Sequence, residues 1–174
     1  NAKGGEKFSK SLGNAPEPKE VIGKYRLEPV RYYMLSQVPI SEDHDFTFER
    51  FEEVYNAHLA NGLGNLVARV AKLAEQNNIG APDPPTEFDP KMEKPLKEYK
   101  FNEALNHIWG KIADTDKKIN ENKPWELSGE KLNQVLLDLI QTTQHIAYNL
   151  QPFLPETAEK ILNQFSGKIK SVAP

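Results

Sequence analysis

Residues 51–76 read FEEVYNAHLANGLGNLVARVAKLAEQ, and within them Phe51, Tyr55, Leu59, Leu63, Leu66, Val70 and Leu73 recur at steps of three and four. On a helix those steps gather the apolar side chains on one face and leave the polar ones on the other, so the segment predicts a long amphipathic helix running to about Gln76. Such a helix must cover its apolar stripe with other elements. The acidic stretch before it carries aromatics at Phe46, Phe48 and Phe51, and the Thr47 hydroxyl is placed to cap the first turn.

Working outward, the same period returns three times. Phe101, Leu105, Ile108, Trp109, Ile112 and Ile119 define a second long helix, in which Trp109 reads as core. Lys123-Pro124 breaks it, and after Ser128-Gly129 the stripe from Leu132 to Leu150 defines a third. A shorter helix starts near Pro155. Upstream, Val21, Ile22 and Tyr25 make one short stripe, and Val30, Tyr33, Met34 and Val38 make another after Pro29. Between the first two long helices, Pro82, Pro84, Pro85, Pro90 and Pro95 predict an extended connector with at most a turn of helix. Beyond a possible short strand at residues 6–8, no strand is expected, and antiparallel packing of the helices predicts an all-α helical bundle.

The chain has 174 residues, 38% of them hydrophobic and 27% charged, enough to bury a core in one domain with a small N-terminal appendage. It has no cysteine, which excludes disulfides and thiolate metal sites from these residues, and His44, His58, His107 and His145 lack ligand spacing, so no metal site is expected. No apolar run approaches a membrane span and no signal-peptide pattern opens the chain; a cytoplasmic protein with no membrane partner is the expectation. The net charge of -3 is uneven. Residues 1–31 hold seven Lys and Arg against four Glu, so the remaining body is acidic. Any phosphate contact by the body has to use a few placed side chains.

Two places carry candidate chemistry. In the Gly- and Ser-rich opening NAKGGEKFSKSLGN, Lys7 and Lys10 stand three residues apart with Ser9 and Ser11 between and beside them. Ammonium groups and backbone N–H groups on such a loop can meet a polyphosphate, though a mobile basic terminus has the same composition. On the first long helix Asn61, Asn65 and Arg69 are spaced i, i+4, i+8, away from the apolar stripe. Amide and guanidinium groups suit the edges of unstacked bases, and a solvated polar face would look the same. Trp125 follows Pro124 at a helix break, where its ring either offers a surface for a base to stack on or covers the end of the bundle.

These stretches resemble one family. KFSKSLGN resembles the KMSKS signature of class I aminoacyl-tRNA synthetases, with Phe8 where Met is commoner. NAHLANGLGNLVAR, NENKPWEL and PFLPETAEKI are similar to elements of the anticodon-binding domain of methionyl-tRNA synthetases. The resemblance covers the chain from Lys7 to about Phe165 and leaves only the Pro-rich connector unmatched. It implies that Lys7 and Lys10, helped by Ser9 and Ser11, stabilise the triphosphate of ATP (with Mg2+) during amino-acid activation. It also implies that Asn65, Arg69 and Trp125, with Asn61 as a weaker addition, recognise the CAU anticodon stem-loop of tRNA(Met). Residues 1–45 would then be the KMSKS loop and stem-contact region, and residues 46–174 the helical anticodon-binding domain. The HIGH signature of the family and its catalytic domain are not in this sequence, so the chain alone is expected to hold no ATP and to be inactive without that partner. Two other readings stay open: the same region of a leucyl, isoleucyl, valyl or cysteinyl enzyme, and a helical interaction module with no RNA function, which leaves KFSKSLGN unexplained.

Overall fold

The computed structural model describes residues 17–37 and 45–171. Two short helices, α1 (Pro18–Tyr25) and α2 (Leu27–Gln37), precede α3 (Phe48–Val54), which continues through wider π-helical turns (Tyr55–Gly64) into α4 (Asn65–Gln76). Then follow α5 (Pro90–Lys97), α6 (Phe101–Asn122), a single 3-10 turn (Pro124–Glu126), α7 (Gly129–Leu150) and α8 (Pro155–Gln164). The all-α class and the three long helices agree with the periodicity. Thr47 caps α3 as expected, its Oγ1 accepting a hydrogen bond from the Arg50 N–H at 3.1 Å.

α7 lies at the centre, packed on α4, α6 and α8. Leu66 and Val70 of α4, Leu105 and Ile108 of α6, and Leu136, Ile140 and Leu150 of α7 are buried in one core. Tyr32 and Tyr33 of α2 belong to that same core. Around the second, Phe51 stacks with Tyr33, Phe46 and Tyr25 at ring separations of 5.3, 6.1 and 4.7 Å.

Four expectations need correction. The first long helix is continuous, but its middle is π-helical. A Cβ on Gly62 would stand 3.3 Å from the Ala57 carbonyl oxygen and one on Gly64 only 3.1 Å from that of Leu59, so the two glycines let backbone carbonyls five residues back lie close. Second, α2 begins at Leu27, ahead of Pro29, since a first-turn residue has no N–H to lose. Its buried residues are Tyr32 and Tyr33, while Met34 is exposed and Val38 lies outside the described residues.

Third, the connector contains a two-turn helix. Asp89 is a cap followed by Pro90 at the first helical position, its Oδ1 accepting from the Lys91 N–H at 2.9 Å, and Met92 is driven into the core. That burial outweighs the hydrogen bond lost at Pro95 inside the helix. Asp-Pro was the overlooked start signal. Fourth, α4 and α6 run parallel. Gly62 abuts Trp109 and Arg69 meets Asp116, an identical offset at two levels. The connector carries the chain back between them, as in bundles with a long crossover. Polar side chains of α7 hold it there: Gln144 Nε2 donates to the Pro82 carbonyl, the Tyr148 hydroxyl to that of Thr86, and Asn149 Oδ1 accepts from the Asp89 N–H, all at 2.8–2.9 Å.

α8 takes its cap from far away in the sequence. Leu154, which precedes it, offers no side-chain oxygen; instead the Glu28 carboxylate of α2 accepts from the backbone N–H groups of Glu156 and Thr157 at 2.6 and 3.0 Å. Arg31 donates to the Pro152 carbonyl at 2.8 Å and completes the tie. Glu28→Ala is therefore expected to cost about 1–2 kcal/mol, the range for loss of a helix cap, and to lower Tm by several degrees. An unchanged melting curve would show that α2 is not seated on α8 through this carboxylate.

Candidate nucleic-acid interface

The polar face of α4 meets α6 through Arg69. Its Nη1 donates to Asp116 Oδ1 at 2.8 Å and its Nη2 to Asn120 Oδ1 at 2.9 Å. Both ends of the ion pair are less than a third exposed. Two acceptors one helical turn apart on α6 match the fork of a planar guanidinium, which is why arginine suits the position.

α6 ends two residues after Asn120, at Asn122. Lys123 adopts the left-handed conformation, φ 44°, closing the helix with its N–H on the Ile119 carbonyl. The reversal buries Pro124 and leaves Trp125 59% exposed. Among the described residues no aromatic ring stacks on the indole. The break thus turns outward a large flat apolar surface beside the fork-bearing end of α6.

Asn65 is exposed one turn before Arg69 on α4. Asn61 is exposed too, but it sits in the π-helical turns, where the i, i+4 argument does not hold. The four residues named from the sequence therefore divide: Arg69 bonds to the C-terminal part of α6 and Trp125 follows the end of that helix, Asn65 is exposed one turn before Arg69, and Asn61 lies in the π-helical turns. Asp116 and Asn120 went unnoticed because acidic and amide residues on an exposed helix face carry no local sign of their partner. Lys7, Ser9, Lys10 and Ser11 lie outside the described residues, as does the expected strand at residues 6–8.

Midway along α6, Trp109 packs on Tyr32 with ring centroids 4.8 Å apart, and Tyr32 shares a 2.7 Å hydrogen bond with His58 Nδ1. Burial pushes the Tyr32 phenol up, while burial, aided by Arg50, pulls the His58 imidazole down, so the bond joins two neutral groups and serves packing. Asp89 behaves differently. Burial alone would raise its carboxyl, but hydrogen bonds from His107 and Lys111 and the Lys91 N–H outweigh it and hold the group well below the usual carboxylate range. Among the described residues no cluster of His, Asp and Glu could hold a metal ion, and no helix is long and apolar enough to cross a membrane.

Residues 2–71 match the family model described as tRNA synthetases class I (M). The methionine–tRNA ligase of Clostridium acetobutylicum is 37% identical across 93% of the chain, and that of Bacillus subtilis 36% across 91%. The chain belongs to the methionyl-tRNA synthetase family. It spans 28% and 27% of those two ligases, less than a third of either. Among solved structures, a Mycobacterium tuberculosis methionyl-tRNA synthetase in complex with methionyl-adenylate superposes with a TM-score of 0.78 at 26% identity, over 98% of this chain and 41% of that one. The fold and its helical order are thus those of a synthetase of this family.

Proposed function

We propose that the chain supplies the tRNA-binding end of a methionine–tRNA ligase, with Trp125 and Arg69 reading the CAU anticodon and Asn65 assisting. The observation that carries this reading is the convergence of Arg69 and Trp125, remote in sequence, on the C-terminal end of α6. An exposed indole gives an unstacked base a surface, and the guanidinium N–H groups left free by Asp116 and Asn120 can donate to a base edge or a phosphate. The acidic body suits a site built from a few placed groups, since it offers little attraction to nucleic acid in general.

In the parent enzyme, a cytoplasmic one on this reading, ATP activates methionine before transfer to tRNA(Met). Lys7 and Lys10, with Ser9 and Ser11, would meet the triphosphate of ATP, whose Mg2+ shares the charge. Residues 1–45 form the loop and stem-contact region in this proposal, and residues 46–174 the anticodon-binding part. The seating of α2 on α8 through Glu28 and Arg31 supports a fixed relation between the two.

The test is a titration of the full chain, at one stated low salt concentration, with a CAU anticodon stem-loop and with a loop altered at the first anticodon base. Trp125 fluorescence follows the binding. The expected result is preference for CAU by about 1–3 kcal/mol, the usual cost of one mismatched position. Equal affinity for both loops would leave only electrostatic contact and remove the anticodon reading.

A further inference from the structure

One cation on the polar face of α4 is left unmatched. Between Glu53 and Glu75 the sequence holds no acidic residue, in a body that is acidic as a whole, and its formal charges are Arg69 and Lys72 alone. Arg69 is matched by Asp116 at 2.8 Å. Lysines late in α6 and in the turn after it are matched too: Lys117 by Glu121, Lys118 by Asp138 and Lys123 by Glu126. Lys72 is exposed and pairs with no carboxylate among the described residues. Glu75, three residues on, is instead engaged by the N–H and hydroxyl of Ser171.

The helix sets where this charge stands. Asn65, Arg69, Lys72 and Gln76 are spaced i, i+4, i+7 and i+11, so they share one side of α4, away from the buried Leu66, Val70 and Ala74. Lys72 lies about 4.5 Å past Arg69 along the axis, at the rise of an α-helix. Because α4 and α6 run parallel, that step leads toward the end of α6 that Trp125 follows.

Building on the anticodon reading, we propose that Lys72 is the phosphate anchor of the interface: its ammonium group takes the sugar–phosphate backbone of the anticodon loop and sets where the strand lies, while other groups read the bases. A lysine suits that task. It is a compact charge on a flexible stem with no fixed donor plane, so it follows a phosphate without demanding one base geometry. Contacts to phosphate fix register and carry no sequence information. An exposed lysine on a helix is ordinarily a solvated charge. What sets Lys72 apart is its isolation from carboxylates on a chain of net negative charge, where a polyanion is repelled except at positive charge left uncancelled.

The experiment titrates the full chain and its Lys72→Gln, Lys72→Arg and Lys91→Gln variants with the CAU stem-loop and the first-base-altered loop, from about 50 to about 200 mM salt. Lys91 of α5 is also exposed and without a carboxylate partner among the described residues, so its variant is the control for net charge. Glutamine keeps the length and helix propensity of lysine, so the fold is retained, and melting curves verify this. Lys72→Gln is expected to lose affinity for both loops by the same factor, several-fold at the lowest salt, so that their ratio is unchanged. The slope of log K against log salt should become shallower by about 0.7, the counterion release of one phosphate on a single strand. Lys72→Arg and Lys91→Gln should both keep the wild-type slope. If Lys72→Gln matches Lys91→Gln in affinity and slope, Lys72 is only a solvated charge and the proposal is wrong. A changed ratio between the two loops would overturn it as well, since the contact would then be to a base. A failure of the anticodon reading is seen separately, in a wild-type chain that does not distinguish the loops.

Discussion

Trp125→Ala is expected to weaken binding to a CAU stem-loop by about 1–3 kcal/mol, roughly five- to 150-fold in Kd, while leaving helix content and Tm unchanged. The size follows from base stacking on an aromatic ring. The absence of a folding effect follows from the ring's position, which is 59% exposed, in a three-residue turn anchored by the burial of Pro124 and not by the indole. Trp125→Phe should recover much of the lost affinity, since any aromatic face can stack, whereas Trp125→Leu should not. Should the alanine variant bind as tightly as the wild type, the stacking role is wrong. A drop in Tm worth more than about 1 kcal/mol would instead make Trp125 a packing residue, because surface changes ordinarily stay within about half that.

The second large effect concerns stability. Phe51→Ala is expected to cost about 3–5 kcal/mol, as for other fully buried phenylalanines. The ring is 1% exposed and touches Tyr25 from α1, Tyr33 from α2 and Phe46 before α3. Its removal opens a cavity where all three segments meet, and the lost ring contacts add to the transfer cost. Against a total stability of about 5–15 kcal/mol this is a large fraction, read as a lower midpoint in urea with little change in slope. A loss below about 1 kcal/mol would show that α1 and α2 are not seated on the long helix through this cluster. Both experiments separate roles that the sequence left together: Phe51 and Trp125 are each aromatic and each at a helix end, but one is covered and the other open.

Much of this was legible beforehand, for a reason that can be stated residue by residue. Leu66, Val70, Leu105, Ile108, Leu136 and Ile140 follow the helical period because a helix presents one face to its core whatever lies opposite. Thr47 could be read as a cap because its acceptor role is settled within three residues. Trp125 could be placed at a break between helices because Pro124 ends α6 locally. The same locality explains the misreading of Pro90: counting prolines hid the Asp89-Pro90 start of α5, and the burial of Met92 that sustains this helix depends on α6.

The sequence by itself therefore determined the helices other than α5, their apolar faces and the likeness to methionyl-tRNA synthetases. Tertiary structure alone decided that α4 and α6 run parallel, that Glu28 caps α8, and that Asp116 and Asn120 receive Arg69. The division has a physical cause. Burial on one face repeats with the helical turn and is written into every few residues, whereas the partner of a polar side chain is chosen by the direction and offset of a neighbouring helix. That offset was set here by a connector strapped to α7 through Gln144, Tyr148 and Asn149, contacts some sixty residues apart that no local pattern encodes.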